Sequence, residues 1–128
     1  MKTWRLSKRS YAALTGVRPE LIVIVSRALW LSPVDLVVLE GLRTKERQAA
    51  MVASGASRTH RSRHLTGHAI DLGAIVDGVI RWDWPLYEHI AVAMKRSAEE
   101  LKVPLEWGGD WSTFKDGPHF QLPWDSYP

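Results

Sequence analysis

The chain has 128 residues, 45% of them apolar, and 17 Lys and Arg against 14 Asp and Glu give a formal net charge of +3. This is the composition of one globular domain, residues 1–128, and it argues against extended disorder. With no cysteine, disulfide scaffolds, thiol nucleophiles, zinc fingers and iron–sulfur sites are excluded, so any metal must sit on His, Asp or Glu.

In chain order, Ser7 is expected to cap a short helix that runs to Leu14 and stops at Gly16. Pro19 suits the first position of a second helix ending near Leu31. Its apolar run, Leu21 to Leu31, is about half the length that spans a bilayer and contains Arg27, so it reads as a core helix. The basic start at Lys2, Arg5, Lys8 and Arg9 lacks the apolar core of a signal peptide. Val34–Glu40 reads as a buried strand ending at Gly41, and Thr44 as the cap of a helix over Lys45–Ser54 closed by Gly55. Ala56 to Thr66 is polar and basic, with neither helical nor strand periodicity, and reads as a loop of the kind that carries chemistry. His68–Val76, Asp77-Gly78 and Val79–Trp82 predict a hairpin. Pro85 opens a long helix with an apolar stripe of Leu86, Ile90, Ala93, Met94 and Leu101. Leu105–Trp107 and His119–Leu122 then predict two further strands, joined through a turn at Gly108 and Gly109. Helices packed with a small antiparallel sheet make this an α+β domain.

The chemistry gathers around histidines. His89 lies on the long helix and reads as a surface or structural residue. His64 and His68 are four apart, but no Glu follows His64 and Gly67 weakens a helix there, so the spacing does not make a His-Glu-x-x-His zinc motif. His64 at the loop's end and Asp71 within the strand can reach one ion from adjoining backbone. With His119 they make two imidazoles and one carboxylate, leaving a fourth position for water, as hydrolytic zinc requires.

Ser62-Arg63-His64-Leu65-Thr66-Gly67-His68-Ala69-Ile70-Asp71 fits the pattern Ser-x-His-x-x-Gly-x-Ala-x-Asp, and Asp116-Gly117-Pro118-His119 sets an acid three residues before the last histidine. Gly41-Leu42-Arg43-Thr44 with Gln48, Gly55-Ala56-Ser57 and Trp107-Gly108-Gly109-Asp110-Trp111 extend the likeness from about Leu6 to Leu122. The composite resembles the D-Ala-D-Ala carboxypeptidase superfamily of zinc peptidases, and within it the phage endolysins that are L-alanyl-D-glutamate peptidases. The resemblance implies a hedgehog/D-Ala-D-Ala peptidase-like fold and Zn2+ held by His64, Asp71 and His119. It makes Asp116 the catalytic acid/base, where alone it would read as a turn residue. Arg43 takes a place where the family binds and polarises substrate, and Ser62 would orient the first ligand or the substrate. His68 falls at a variable position and stays outside the metal set, while His60 and Arg61 form at most a basic rim. Trp107 and Trp111 flank two glycines and are candidate substrate-binding walls, one ring expected in the core and one in the cleft. Asp110 receives no role.

The implied activity is zinc-dependent cleavage of the L-alanyl-D-glutamate bond in peptidoglycan stem peptides. Asp rather than Glu as acid/base favours this endopeptidase branch over the D-alanyl-D-alanine carboxypeptidases. In a phage or prophage this means host lysis by a monomer with no separate wall-binding domain, held in the host cytoplasm until release. Stable membrane insertion and a nucleic-acid partner are not expected. The competing readings are a D-alanyl-D-alanine carboxypeptidase and a non-catalytic basic module using Arg58, Arg61 and Arg63. The last leaves Asp71, Asp116 and His119 without a purpose.

Overall fold

The computed structural model describes residues 5–57, 59 and 61–128, so Lys2, Arg58 and His60 of the sequence reading lie outside the described residues. Local chemistry starts the first elements. The Ser7 hydroxyl accepts from the Ser10 amide and caps α1 (Lys8–Ala13), and Pro19 opens α2 (Pro19–Leu31). β1 (Asp35–Glu40) follows, and Thr44 accepts from the Arg47 amide at the start of α3 (Lys45–Ala53). The polar loop contains one short feature that periodicity did not reveal, a 3-10 turn over Arg63–Thr66. It ends on Gly67 in the left-handed region (φ 74°), where a side chain would also meet the Gly16 carbonyl.

β2 (Ala69–Val76) and β3 (Val79–Arg81) form the expected hairpin, with Asp77 and Gly78 both at positive φ as a tight turn of that hand requires. α4 (Trp84–Leu101) buries Tyr87, Ile90, Ala91, Ala93, Met94, Ser97 and Ala98. Leu101, assigned to the apolar stripe from sequence, closes the helix at 39% exposed and lies outside the core. β4 (Glu106–Trp107) and β5 (His119–Gln121) complete an antiparallel sheet ordered β1-β2-β5-β4, with β3 on the far half of β2.

Strand alternation divides the sheet into two faces. Ile70, Leu72, Ala74 and Phe120 point into the core with Leu21, Ile24, Val25, Ala28, Ile90 and Met94 of the two long helices. Two buried hydroxyls tie helices to their neighbours: Ser97 donates to the Ile24 carbonyl (2.8 Å), and the Val38 amide donates to Ser10 (2.9 Å). Asp71 projects from the other face of β2. Its cross-strand partners are His119 in β5 and Glu40 in β1, so the pairing register sets one polar row across the middle of the sheet.

Candidate active site

His64 enters this row from the 3-10 turn. Ser62 caps the turn by accepting from the His64 amide (3.2 Å), and the Arg43 amide donates to the His64 carbonyl (2.9 Å), which fixes the backbone on both sides. The His64 ring, 2% exposed, donates through Nδ1 to the Gly41 carbonyl at 2.8 Å. A carbonyl only accepts, so the hydrogen resides on Nδ1 and the lone pair of Nε2 faces the site. Nε2 lies 3.2 Å from Asp71 Oδ1, yet it is buried with no hydrogen-bond partner among the described residues. His119 Nδ1 approaches the same oxygen at 3.3 Å, and the two imidazoles meet edge to face, centroids 5.1 Å apart.

The ligand atoms of His64, Asp71 and His119 all lie within 4.8 Å of one another, a group that can hold a metal ion. The donor set fits one. Two ring nitrogens and a carboxylate oxygen converge, all electron-rich, and a buried imidazole nitrogen is left without a proton donor. Burial would raise the Asp71 carboxyl, but His119 and His64 outweigh it and hold the group well below the usual carboxylate range. Burial would lower His119, and Asp71 reverses that too, so the site draws positive charge to this ring.

Asp116, a second carboxylate of the cleft, differs. Burial pushes Asp116 up, and the negative Asp71 pushes it further. It reaches the cleft from the segment before β5, anchored by its amide on the Gly108 carbonyl (3.0 Å) and by its carbonyl on the His119 amide (3.2 Å). Arg43 lies at the cleft base, 7% exposed, bonded to Gln48 (2.7 Å) and to Glu40, with its guanidinium 3.6 Å from Asp71 Oδ2. The two oxygens of Asp71 are thereby divided between the imidazoles and the guanidinium.

The structure gathers Arg43, Ser62, His64, Asp71, Trp111, Asp116 and His119 around one cleft, whose outer walls add Met51, Phe114 and Trp124. Trp107 stands apart. Alternation turns its ring to the core face, where it is 7% exposed, stacks on Phe120 and donates to the Gly117 carbonyl. Trp111 is the cleft ring, centroid 5.2 Å from that of His119. The paired glycines serve packing rather than close approach of a ligand: a side chain at Gly108 would meet Asp116, and one at Gly109 the Trp107 ring. His68 bonds Thr66 and lies outside the metal group. Arg63, read with Arg58 and Arg61 as part of a basic working loop, is instead 3% exposed and donates inward to the carbonyls of Leu122 and Tyr127, with its guanidinium over Trp124. Arg61 stays exposed at the rim beside the same indole.

Two polar residues escaped the sequence reading. Gln121 accepts at 2.7 Å from His119 Nε2, and Glu106 accepts from the Gln121 amide nitrogen (3.2 Å) and from Trp111 Nε1 (2.8 Å). The signal for Gln121 was its spacing of two from His119 on a predicted strand, which puts both on one face.

Comparison with known proteins points to one family. Residues 2–122 match the family described as phage L-alanyl-D-glutamate peptidase. The L-alanyl-D-glutamate peptidase of Escherichia phage T5 is 34% identical over 118 residues, covering 89% of this chain and 86% of that protein. The enzyme of the same name from Listeria phage A118 is 42% identical over 94 residues; the match takes in 73% of this chain but only 32% of that longer protein. The crystal structure of the Serratia marcescens L-Ala D-Glu endopeptidase ChiX superposes with a TM-score of 0.92 at 51% identity, over 97% of this chain and 93% of that one. The chain belongs to the phage L-alanyl-D-glutamate peptidase family.

Proposed function

We propose that this protein is a zinc-dependent endopeptidase that hydrolyses the L-alanyl-D-glutamate bond of peptidoglycan stem peptides, the reaction of a phage or prophage endolysin. The observation that carries the reading is the convergence of His64 Nε2, Asp71 Oδ1 and His119 Nδ1 beside Asp116 in an open cleft, in a chain of this family.

His64, Asp71 and His119 would hold the ion. When bound, zinc supplies Lewis acidity that polarises a peptide carbonyl and activates water near neutral pH. Asp116 takes the proton of the attacking water as the carbon–oxygen bond forms, and returns it to the departing D-glutamate nitrogen as the carbon–nitrogen bond breaks. Its raised proton affinity suits both transfers. Arg43 steadies Asp71 through Oδ2 and offers the cleft base a fixed cation for a developing oxyanion or a stem carboxylate. Ser62 orients the His64 backbone, and Trp111 walls the cleft.

The decisive experiment is mass spectrometry of fragments from purified peptidoglycan digested with the zinc-loaded protein. New peptides should begin with D-glutamate, leaving L-alanine on muramic acid. Release of free D-alanine alone would replace this assignment with a D-alanyl-D-alanine carboxypeptidase.

A further inference from the structure

We propose that Glu106 and Gln121 are positioning residues that select the metal-binding tautomer of His119, an inference that rests on His119 being a ligand. The argument starts from strand geometry. His119 and Gln121 are two apart on β5 and share the polar face, while Glu106 of β4 is the cross-strand partner of Gln121. The register therefore lines up a carboxylate, an amide and an imidazole, ending at Asp71 opposite His119.

The hydrogen bonds along this line have one direction only. A carboxylate accepts and does not donate, so the amide nitrogen of Gln121 faces Glu106 Oε2 at 3.2 Å. The same oxygen accepts from Trp111 Nε1 at 2.8 Å, which fixes the carboxylate in the cleft wall. The Gln121 amide is thereby oriented, and its Oε1 faces His119 Nε2 at 2.7 Å. That oxygen accepts, so Nε2 keeps a hydrogen, and Nδ1, which faces Asp71 Oδ1 at 3.3 Å, is the nitrogen whose lone pair an ion would take once the ring is neutral. A Gln121 released from Glu106 can turn its NH2 toward the ring. The hydrogen then belongs on Nδ1, aimed at the position the ion would occupy. His64 reaches the same end by a single step, through the Gly41 carbonyl. One ligand is thus oriented by backbone and the other by a two-residue side-chain relay, in the manner by which outer partners fix ligand tautomers in metal sites.

The test is zinc affinity by competition with a chromophoric chelator, joined to the 15N shifts of the His119 ring in the metal-free protein at alkaline pH. Glu106→Leu and Gln121→Leu should each bind zinc about ten- to a hundredfold more weakly. Glu106→Gln retains an acceptor oxygen and should stay within about threefold of wild type, as expected if acceptance rather than charge orients the amide. The wild-type ring should give the Nε2–H pattern, and Glu106→Leu should gain Nδ1–H character. Circular dichroism establishes that each variant is folded, and the wild-type ring spectrum needs no variant. Wild-type zinc affinity in folded Glu106→Leu, or an Nδ1–H pattern for His119 in the unaltered protein, would overturn the relay while the ligand assignment stands. Unchanged affinity in His119→Ala would overturn both.

Discussion

Asp71 and Asp116 face the same cleft, and their surroundings drive them in opposite directions. Burial disfavours charge on both, but Asp71 has two imidazoles to offset it, whereas Asp116 has the negative Asp71 as a neighbour and keeps its proton more readily. Carboxylates pushed apart in this way divide the labour, one holding positive charge and the other moving protons. Asp116→Asn preserves size and the backbone anchor on Gly108, so the variant should retain zinc. It should lose about a hundredfold to ten-thousandfold in kcat, because an amide does not take a proton from water. Zinc analysis alongside turnover of purified cell wall checks both halves; turnover near the wild-type rate would remove Asp116 from the chemistry.

Among the elements, the short segment from Trp107 to β5 sets the accuracy of the site. It leaves β4, makes a 3-10 turn at Gly108–Asp110 and returns with Asp116 packed on Gly108. A methyl group at position 108 would lie 2.4 Å from the Asp116 carbonyl oxygen and 3.2 Å from His119 Cβ. Gly108→Ala should therefore cost about 1–3 kcal/mol of stability by overpacking. It should also lower kcat by on the order of a hundredfold, since small displacements of reacting groups are that costly. Thermal melting and turnover measured together test this, and an active, fully stable variant would show that the segment tolerates displacement. The elements themselves were legible where local chemistry decides: Ser7, Pro19, Thr44 and the Asp77-Gly78 turn each announce a boundary. The convergence of His64, Asp71 and His119 was legible as a pattern. What the sequence concealed depends on register and burial. Glu106 meets Gln121 only because β4 and β5 pair as they do, and Arg63 reads as a solvated loop cation until Leu122 and Tyr127 close over it.

For the molecule as a whole, the proposed metal group would also be a stability device. Its residues come from the 3-10 turn, β2 and β5, so an ion held there links segments distant in sequence. Zinc at about a thousand times its Kd should stabilise the fold by about 4 kcal/mol, raising Tm by on the order of 10 °C. Chelation should remove that increment, His64→Ala should abolish it, and His68→Ala should keep it. Calorimetry with and without zinc provides the comparison, and loss of the increment in the His68 variant alone would reverse the ligand assignment.

The position of β5 between β2 and β4 has a consequence in time. His119 follows Asp71 by 48 residues, and its strand is the last described in the chain while occupying an interior slot of the sheet. Synthesis runs from the N-terminus, so the early helices and the β1–β2–β3 ribbon leave the ribosome before the strand that fills that slot. Until it emerges, the nascent chain holds His64 and Asp71 without His119, the third residue of the proposed metal group. On the proposed assignment, the metal group is therefore completed by the closing strand, through long-range contacts of the kind that form slowly.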